Sequence, residues 1–256
     1  MISIRNLSIG YVVGRRVTVI GEHLTADVRS GEMTCLIGSN GVGKSTLLRT
    51  IAAFQRKLAG SVVVAGREVS SYAPKELARV VSVVLTEKPH VSGLSVRGLV
   101  AFGRSPYTDF WGRTREEDYA IVDDALRMVG IESLADRFAD TLSDGERQKV
   151  MIAKALAQGT PVIILDEPTA FLDYPSKVGT MRLLRRISRE ADKAVLMSTH
   201  DLDLALRLAD TLLIMEQGRG ISGGSPEALS SSGTLAEYFD RVGIDLHESR
   251  YRAVMD

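Results

Sequence analysis

The chain has 256 residues, with 32 Lys and Arg against 32 Asp and Glu, so its formal net charge is zero with the histidines neutral. Partners held mainly by charge, such as nucleic acid or an anionic lipid surface, require a basic excess or a basic block, and the sequence has neither. A single cysteine, Cys35, excludes an intrachain disulfide framework and fits a reducing compartment, and no run of about 18 apolar residues is present to span a bilayer.

At roughly 150 residues per domain, the length suits one or two domains, or one large α/β unit with an inserted subdomain. Hydrophobic residues make up 45% and aromatics only 5%, so the core must come from Val, Ile, Leu and Ala, as in buried parallel strands and their covering helices. Met1 to Gly10 lacks the charged-then-apolar pattern of a signal peptide. A soluble, cytoplasmic protein is the expectation.

Ile2 to Ile9 alternate apolar and polar residues over the first half and predict a half-exposed strand. Arg16 to Ile20 and His23 to Val28 predict two more, so the chain begins with antiparallel strands. Met33 to Ile37 is an apolar run that enters a glycine-rich loop and a helix from near Lys44, the opening of a βαβ unit. Gly60 to Val64 and Val80 to Leu85 predict strands on either side of a turn at Gly66 and a short helix at Pro74. From Pro89 to Ala157 the pattern is helical. Thr114 with Glu117 predicts a capping box, and Tyr119, Val122, Leu126 and Val129 share a helical face that Gly130 ends. Strands at Val162 to Leu165, Ala194 to Ser198 and Thr211 to Met215 then alternate with helices at Lys177 to Glu190 and Leu202 to Leu208, which predicts a parallel sheet. Gly218 to Gly224 reads as turn, and Ser225-Pro226-Glu227 as an N-cap followed by proline at the first helical position.

The segment Gly38-Ser39-Asn40-Gly41-Val42-Gly43-Lys44-Ser45 matches G-x-x-x-x-G-K-[ST] between a predicted strand and a predicted helix. Its glycines let backbone N–H groups turn toward phosphate oxygens, and the helix adds its positive end. Lys44 would reach the β- and γ-phosphates of a nucleotide, and the Ser45 hydroxyl would ligate Mg²⁺. Val162 to Leu165 leads into Asp166 and Glu167, two carboxylates at the end of a buried strand, where charge needs a cation or a specific partner. Asp166 would take the Mg²⁺ and Glu167 would activate a water as general base. His200 follows another predicted strand, so it shares the carboxyl-terminal rim of the sheet with Lys44 and Asp166 and is a candidate γ-phosphate contact. Leu142 to Gln148 opens a helix with N-cap chemistry at Ser143 and a second free helix start.

In this order and spacing the segments resemble the ATPase subunit of ATP-binding cassette transporters over nearly the whole chain. Gly38 to Thr46 is similar to its Walker A motif, Leu142 to Gln148 to its signature motif, and Val162 to Glu167 to its Walker B motif. Ala170 to Asp173 resembles the D-loop, Ser198 to Asp201 the switch-histidine loop, and Tyr11 the aromatic that stacks on adenine. The resemblance implies an α/β phosphate-loop NTPase core with a mainly parallel sheet, an N-terminal antiparallel β region (1–32) and an inserted helical subdomain (87–160). The core segments would be 33–86 and 161–217, with turn and helices from 218 to 256, all in one cassette.

The resemblance further implies two copies paired head to tail. ATP held on Gly38, Ser39, Asn40, Gly41, Val42, Gly43, Lys44, Ser45 and Thr46 of one copy, with Tyr11 on the base, would be covered by Ser143 and Gly145 of the other. Glu167 would activate water, His200 sense the γ-phosphate and Asp173 link the two sites. The metal would lie on Ser45 and Asp166. One departure falls where the family has a glutamine that contacts Mg²⁺: this sequence has Thr86 there, or Glu87 with a one-residue shift. A second puts Asp144 where glycine is usual. Leu94 to Tyr107 and Phe110 to Gly112 resemble the corresponding region of importers for ferric siderophores, haem and cobalamin, with Tyr107, Phe110 and Trp111 as candidate contacts to the permease. The partners implied are a second ATPase, integral membrane permease subunits and, indirectly, a substrate-binding protein, with the chain peripheral on the cytoplasmic face of the inner membrane. A soluble cassette ATPase acting on a cytosolic assembly and an exporter subunit are the alternatives. Arg182, Arg185, Arg186 and Arg189 read as a solvated helix face, and Cys35 as a small core residue.

Overall fold

The alternation of Ile2, Ile4, Leu7 and Ile9, each at most 1% exposed, lays one face of the first strand on a core. In the computed structural model, which describes residues 1–86, 93–109 and 115–243, that strand is β1 (Ile2–Val13). It pairs antiparallel with β2 (Arg16–Val28), a single strand where two were expected. The pairing shifts register between Leu7/Leu24 and Ile9/Gly21, and Asn6 and His23 both adopt positive φ there. The apparent gap at Gly21 and Glu22 is thus a β-bulge that bends one strand.

The chain continues through β3 (Met33–Ile37), α1 (Lys44–Ile51), β4 (Ala59–Val64), β5 (Arg67–Glu68), α2 (Pro74–Leu77) and β6 (Val81–Val84). The helices α3 (Val96–Ala101), α4 (Glu116–Val129) and α5 (Asp144–Ala157) follow, then β7 (Val162–Leu165), α6 (Tyr174–Glu190), β8 (Ala194–Ser198), α7 (Leu202–Leu208) and β9 (Thr211–Glu216). Last come β10 (Gly220–Gly224), α8 (Pro226–Ser231) and α9 (Thr234–Val242). Among the described residues the strands form two sheets, an antiparallel one ordered β2-β1-β4-β5 and a second ordered β10-β9-β3-β8-β7-β6. In the second, β9, β3, β8, β7 and β6 run parallel and β10 is antiparallel.

The parallel strands alternate between two apolar layers. Cys35, Ile163, Leu165 and Met197 face a core shared with α3, α4, α5 and α6, while Leu36, Ile164 and Leu196 face one shared with α1 and the antiparallel sheet. Burial pushes the Cys35 thiol up to about 12, as suits a core residue. Among the described residues no helix is long and apolar enough to cross a membrane.

Four expectations need correction. Helix α6 begins at Tyr174 instead of Lys177, because Asp173 Oδ1 accepts the Ser176 N–H at 3.0 Å and caps it, with Pro175 in the first turn. Residues 218–224 are not turn alone: β10 is an edge strand whose hydrogen bonds come from β9, which its glycines do not advertise. In α4, Tyr119 is exposed and the inner face is Asp118, Val122, Ala125, Leu126 and Val129. The expected cap at Thr114 lies outside the described residues, and Asp118, one position after Glu117, accepts the Arg115 N–H at 2.9 Å. Finally, Arg185 and Arg189 are not merely solvated. Both reach Asp210, at 3.1 and 2.7 Å, whose other oxygen takes the Met33 N–H, so they tie α6 to the sheet.

Asp118 is an acid on an inner face because Arg104 meets it. Arg104 Nε donates to Asp118 Oδ1 at 2.8 Å and Nη1 to the Ala157 carbonyl at 2.9 Å, and the paired side chains are only 9% and 7% exposed. The Arg115 N–H and then Arg104 hold the Asp118 carboxyl below the usual range. Replacing Arg104 by Met should therefore cost about 3–5 kcal/mol, the penalty for stranding a buried charge. Urea unfolding would show it as a lower midpoint at unchanged slope, and a loss below about 1 kcal/mol would remove the pair from the stabilising contacts.

Candidate functional site

Because β3, β7 and β8 run parallel, their carboxyl ends deliver Gly38, Asp166 and the Thr199-His200 loop to one rim of the sheet. The loop from Gly38 to Gly43 needs glycine for space as well as conformation. A Cβ on Gly38 (φ +153) would come within 2.5 Å of the Met215 carbonyl oxygen, and one on Gly43 (φ +110) within 2.5 Å of Ile20 Cγ2. Gly43 caps α1 without a side-chain partner, which leaves the first N–H groups of the helix free of any side-chain cap. Lys44 is 5% exposed, and its Nζ donates to the Gly38 and Ser39 carbonyls at 2.8 and 3.2 Å. Burial lowers its pKa, while Glu167 and Asp166 act in the opposite sense. Val42 is buried in the core and does not line the cavity described below.

Asp166 Oδ1 accepts the Ser45 hydroxyl at 3.0 Å and the Ser198 hydroxyl at 2.7 Å. Ser198 Oγ in turn accepts the Glu167 N–H at 2.9 Å. Sequence reasoning missed Ser198 as a group that holds the Asp166 carboxylate and the Glu167 backbone; the available signal was a hydroxyl at the end of an otherwise apolar strand. Glu167 has φ +50, a left-handed conformation that costs a non-glycine residue on the order of 1–3 kcal/mol. Its carboxylate lies 2.5 Å from His200 Nε2. The loop carrying His200 is braced by Asp201, which accepts from Thr169 at 3.3 Å and Lys177 at 3.0 Å.

Lys44, Ser45, Thr46, Asn40, Glu167 and His200 line one cavity of about 280 Å³, together with Tyr11 and Ile20. The Tyr11 hydroxyl meets Thr46 Oγ1 at 2.9 Å, and the residue is 43% exposed at the mouth. A larger cavity of about 760 Å³, lined by Phe54, Tyr72, Leu77 and Gln158 among others, contains none of these groups, so size does not select the site. Thr86 donates its hydroxyl to the Asp166 carbonyl at 2.7 Å and does not line the cavity; Glu87, Phe110 and Trp111 lie outside the described residues. Ser143, Gly145 and Asp173 are not in the lining either. Ser143 caps α5, Asp173 caps α6, and a side chain at Gly145 would meet Ser176 Oγ at 3.6 Å, so the two helix starts adjoin. A glycine loop opening a helix without a side-chain cap, a buried lysine, a hydroxyl–carboxylate pair and a strained glutamate beside a histidine together suit a polyphosphate and an attacking water.

Residues 22–170 match the ABC transporter family, more than half of the chain. The chain belongs to that family. This ABC ATPase is 42% identical over 240 residues to an uncharacterized ABC transporter ATP-binding protein of Methanocaldococcus jannaschii, covering 94% of this chain and 81% of that one. It is 37% identical over 238 residues to the iron(3+)-hydroxamate import ATP-binding protein of Bacillus subtilis, covering 93% and 87%. Among solved structures, a bacterial ABC transporter cassette in dimeric form superposes with a TM-score of 0.75 at 25% identity, covering 88% of this chain and 99% of that one.

Proposed function

We propose that this ABC ATPase energises a membrane importer for a metal chelate, an iron siderophore, haem or cobalamin. The observation that carries the reading is the 37% identity to an iron(3+)-hydroxamate import subunit across 93% of the chain. Permease subunits and, through them, a substrate-binding protein are the partners, with the ATPase peripheral on the cytoplasmic face and nucleic acid playing no part. Two copies pair head to tail, so that ATP on Lys44, Ser45 and Asp166 of one is covered by Ser143 and Gly145 of the other, with Asp173 between the two sites.

In this reading Lys44 exchanges the Gly38 and Ser39 carbonyls for the β- and γ-phosphates, and Tyr11 stacks on the base. The Ser45 hydroxyl and Asp166 carboxylate are hard oxygen donors 3.0 Å apart, a set that fits Mg²⁺ and leaves positions for phosphate and water. Bound there, the ion would neutralise phosphate charge; the Thr86 hydroxyl, donated to the Asp166 carbonyl, braces the backbone that carries this carboxylate. Glu167 takes the proton of the attacking water, and His200 holds the Glu167 carboxylate and reaches the γ-phosphate.

Uptake measurements test the assignment. Cells lacking the gene should lose uptake of one labelled chelate among ferric hydroxamate, haem and cobalamin, restored by the wild-type chain and not by Glu167→Gln. Unchanged uptake of all three would overturn it.

A further inference from the structure

The amino end of α5 is occupied by its own sequence. Glu146 Oε2 accepts both the Ser143 N–H and the Ser143 hydroxyl, each at 2.8 Å, and the Glu146 N–H donates to Ser143 Oγ at 3.3 Å. The Ser143 backbone and hydroxyl hold the Glu146 carboxyl below its usual range. Its other oxygen, Oε1, faces Arg137 Nη1 at 3.4 Å, and Arg137 is anchored through Nη2 to the Thr141 carbonyl at 3.1 Å. One carboxylate therefore takes both Ser143 donors while a fixed guanidinium lies on its far side.

We propose that Glu146 is an internal stand-in for the nucleotide phosphate at this helix start, and that Arg137 receives the Glu146 carboxylate when phosphate displaces it from Ser143. The inference rests on the reading that Ser143 and Gly145 cover the nucleotide of a second copy. Two anions do not share the Ser143 N–H and hydroxyl: an arriving phosphate either drives the carboxylate off or is repelled by it. An ionised acceptor holds those donors more tightly than a neutral amide would, so Glu at this position opposes closure. Arg137 offsets the opposition, because its fork offers the released carboxylate a two-pronged partner. Asp144 adds a second carboxylate in the same first turn, which sharpens the need for a cation nearby. Glu146 and Arg137 are positioning residues. They set how much ATP is needed to bring two copies together, without touching the reacting atoms.

The test uses the full chain carrying Glu167→Gln, with the ATP concentration for half-maximal dimerisation read by size-exclusion chromatography and light scattering. Adding Glu146→Gln should lower that concentration about fivefold, the difference between a charged and a neutral acceptor. Adding Arg137→Gln should raise it about fivefold, but by less than about twofold when Glu146→Gln is also present, since no carboxylate then needs a partner. An unchanged or raised midpoint for Glu146→Gln overturns the inference. So does an Arg137→Gln effect of equal size in both backgrounds, which would make Arg137 a brace on Thr141 alone. If the parent forms no dimer with ATP, the head-to-tail reading falls and this inference with it; a parent that dimerises while the variants match it overturns this inference alone.

Discussion

Replacing Glu167 by Gln should lower ATP turnover by roughly 10²–10⁴-fold while leaving ATP binding intact. The amide keeps the shape and the contact with His200 but accepts no proton from water. The substitution removes a charge that acts on Lys44 but none of the donors at Lys44 and Ser45, so the phosphates keep them. If ATP binding closes the proposed pair and hydrolysis with product release reopens it, a subunit that binds without hydrolysing should stay closed, as a lasting dimer with ATP. Steady-state phosphate release and light scattering measure the two effects. Wild-type turnover in the variant would remove Glu167 as the base, and the strained backbone at this residue would then need another account.

The second large effect is expected at Lys44→Ala, where binding itself should fail. Lys44 is buried and its ammonium is already satisfied by two carbonyl oxygens, so it is positioned to exchange them for phosphate oxygens. Removing it deletes the one lysine or arginine among the described residues that line the cavity and leaves Glu167 there without its balancing charge. A charge-assisted hydrogen bond is worth roughly 1.5–3 kcal/mol, so ATP affinity should fall by at least about tenfold. Isothermal titration with ATP and with adenosine separates the causes. Adenosine, which has no phosphates, should bind the variant as it binds the wild type, and an equal loss for both ligands would point to a collapsed loop.

These effects were legible before the fold because the groups that carry them sit in short segments with strict local requirements. The Gly38 to Ser45 loop needs its glycines wherever it occurs, and the apolar run before Asp166 announces a buried strand. Ser198 was less legible: its hydroxyl matters only because β8 lies beside β7, so that Leu165 pairs with Met197 and the next residues meet. The single strand β2 was hidden by a bulge, and β10 by glycines that carry no strand preference of their own. Tyr119 and Asp118 exchanged places because a salt link to a residue 14 positions earlier outweighs the local pattern of polar and apolar side chains.

What the sequence by itself determined was therefore the chemistry: a phosphate loop, two carboxylates at a strand end, a histidine on the same rim, and the family they compose. What only the tertiary structure decided was which groups meet. It ties Ser45 and Ser198 to one oxygen of Asp166, brings His200 to Glu167, and leaves Ser143, Gly145 and Asp173 outside the cavity that contains Lys44. The physical reason is range. Turn conformations and strand periodicity are set by neighbours along the chain, whereas a hydrogen bond across 121 residues, such as that from Ser45 to Asp166, exists only once packing has chosen the neighbours in space.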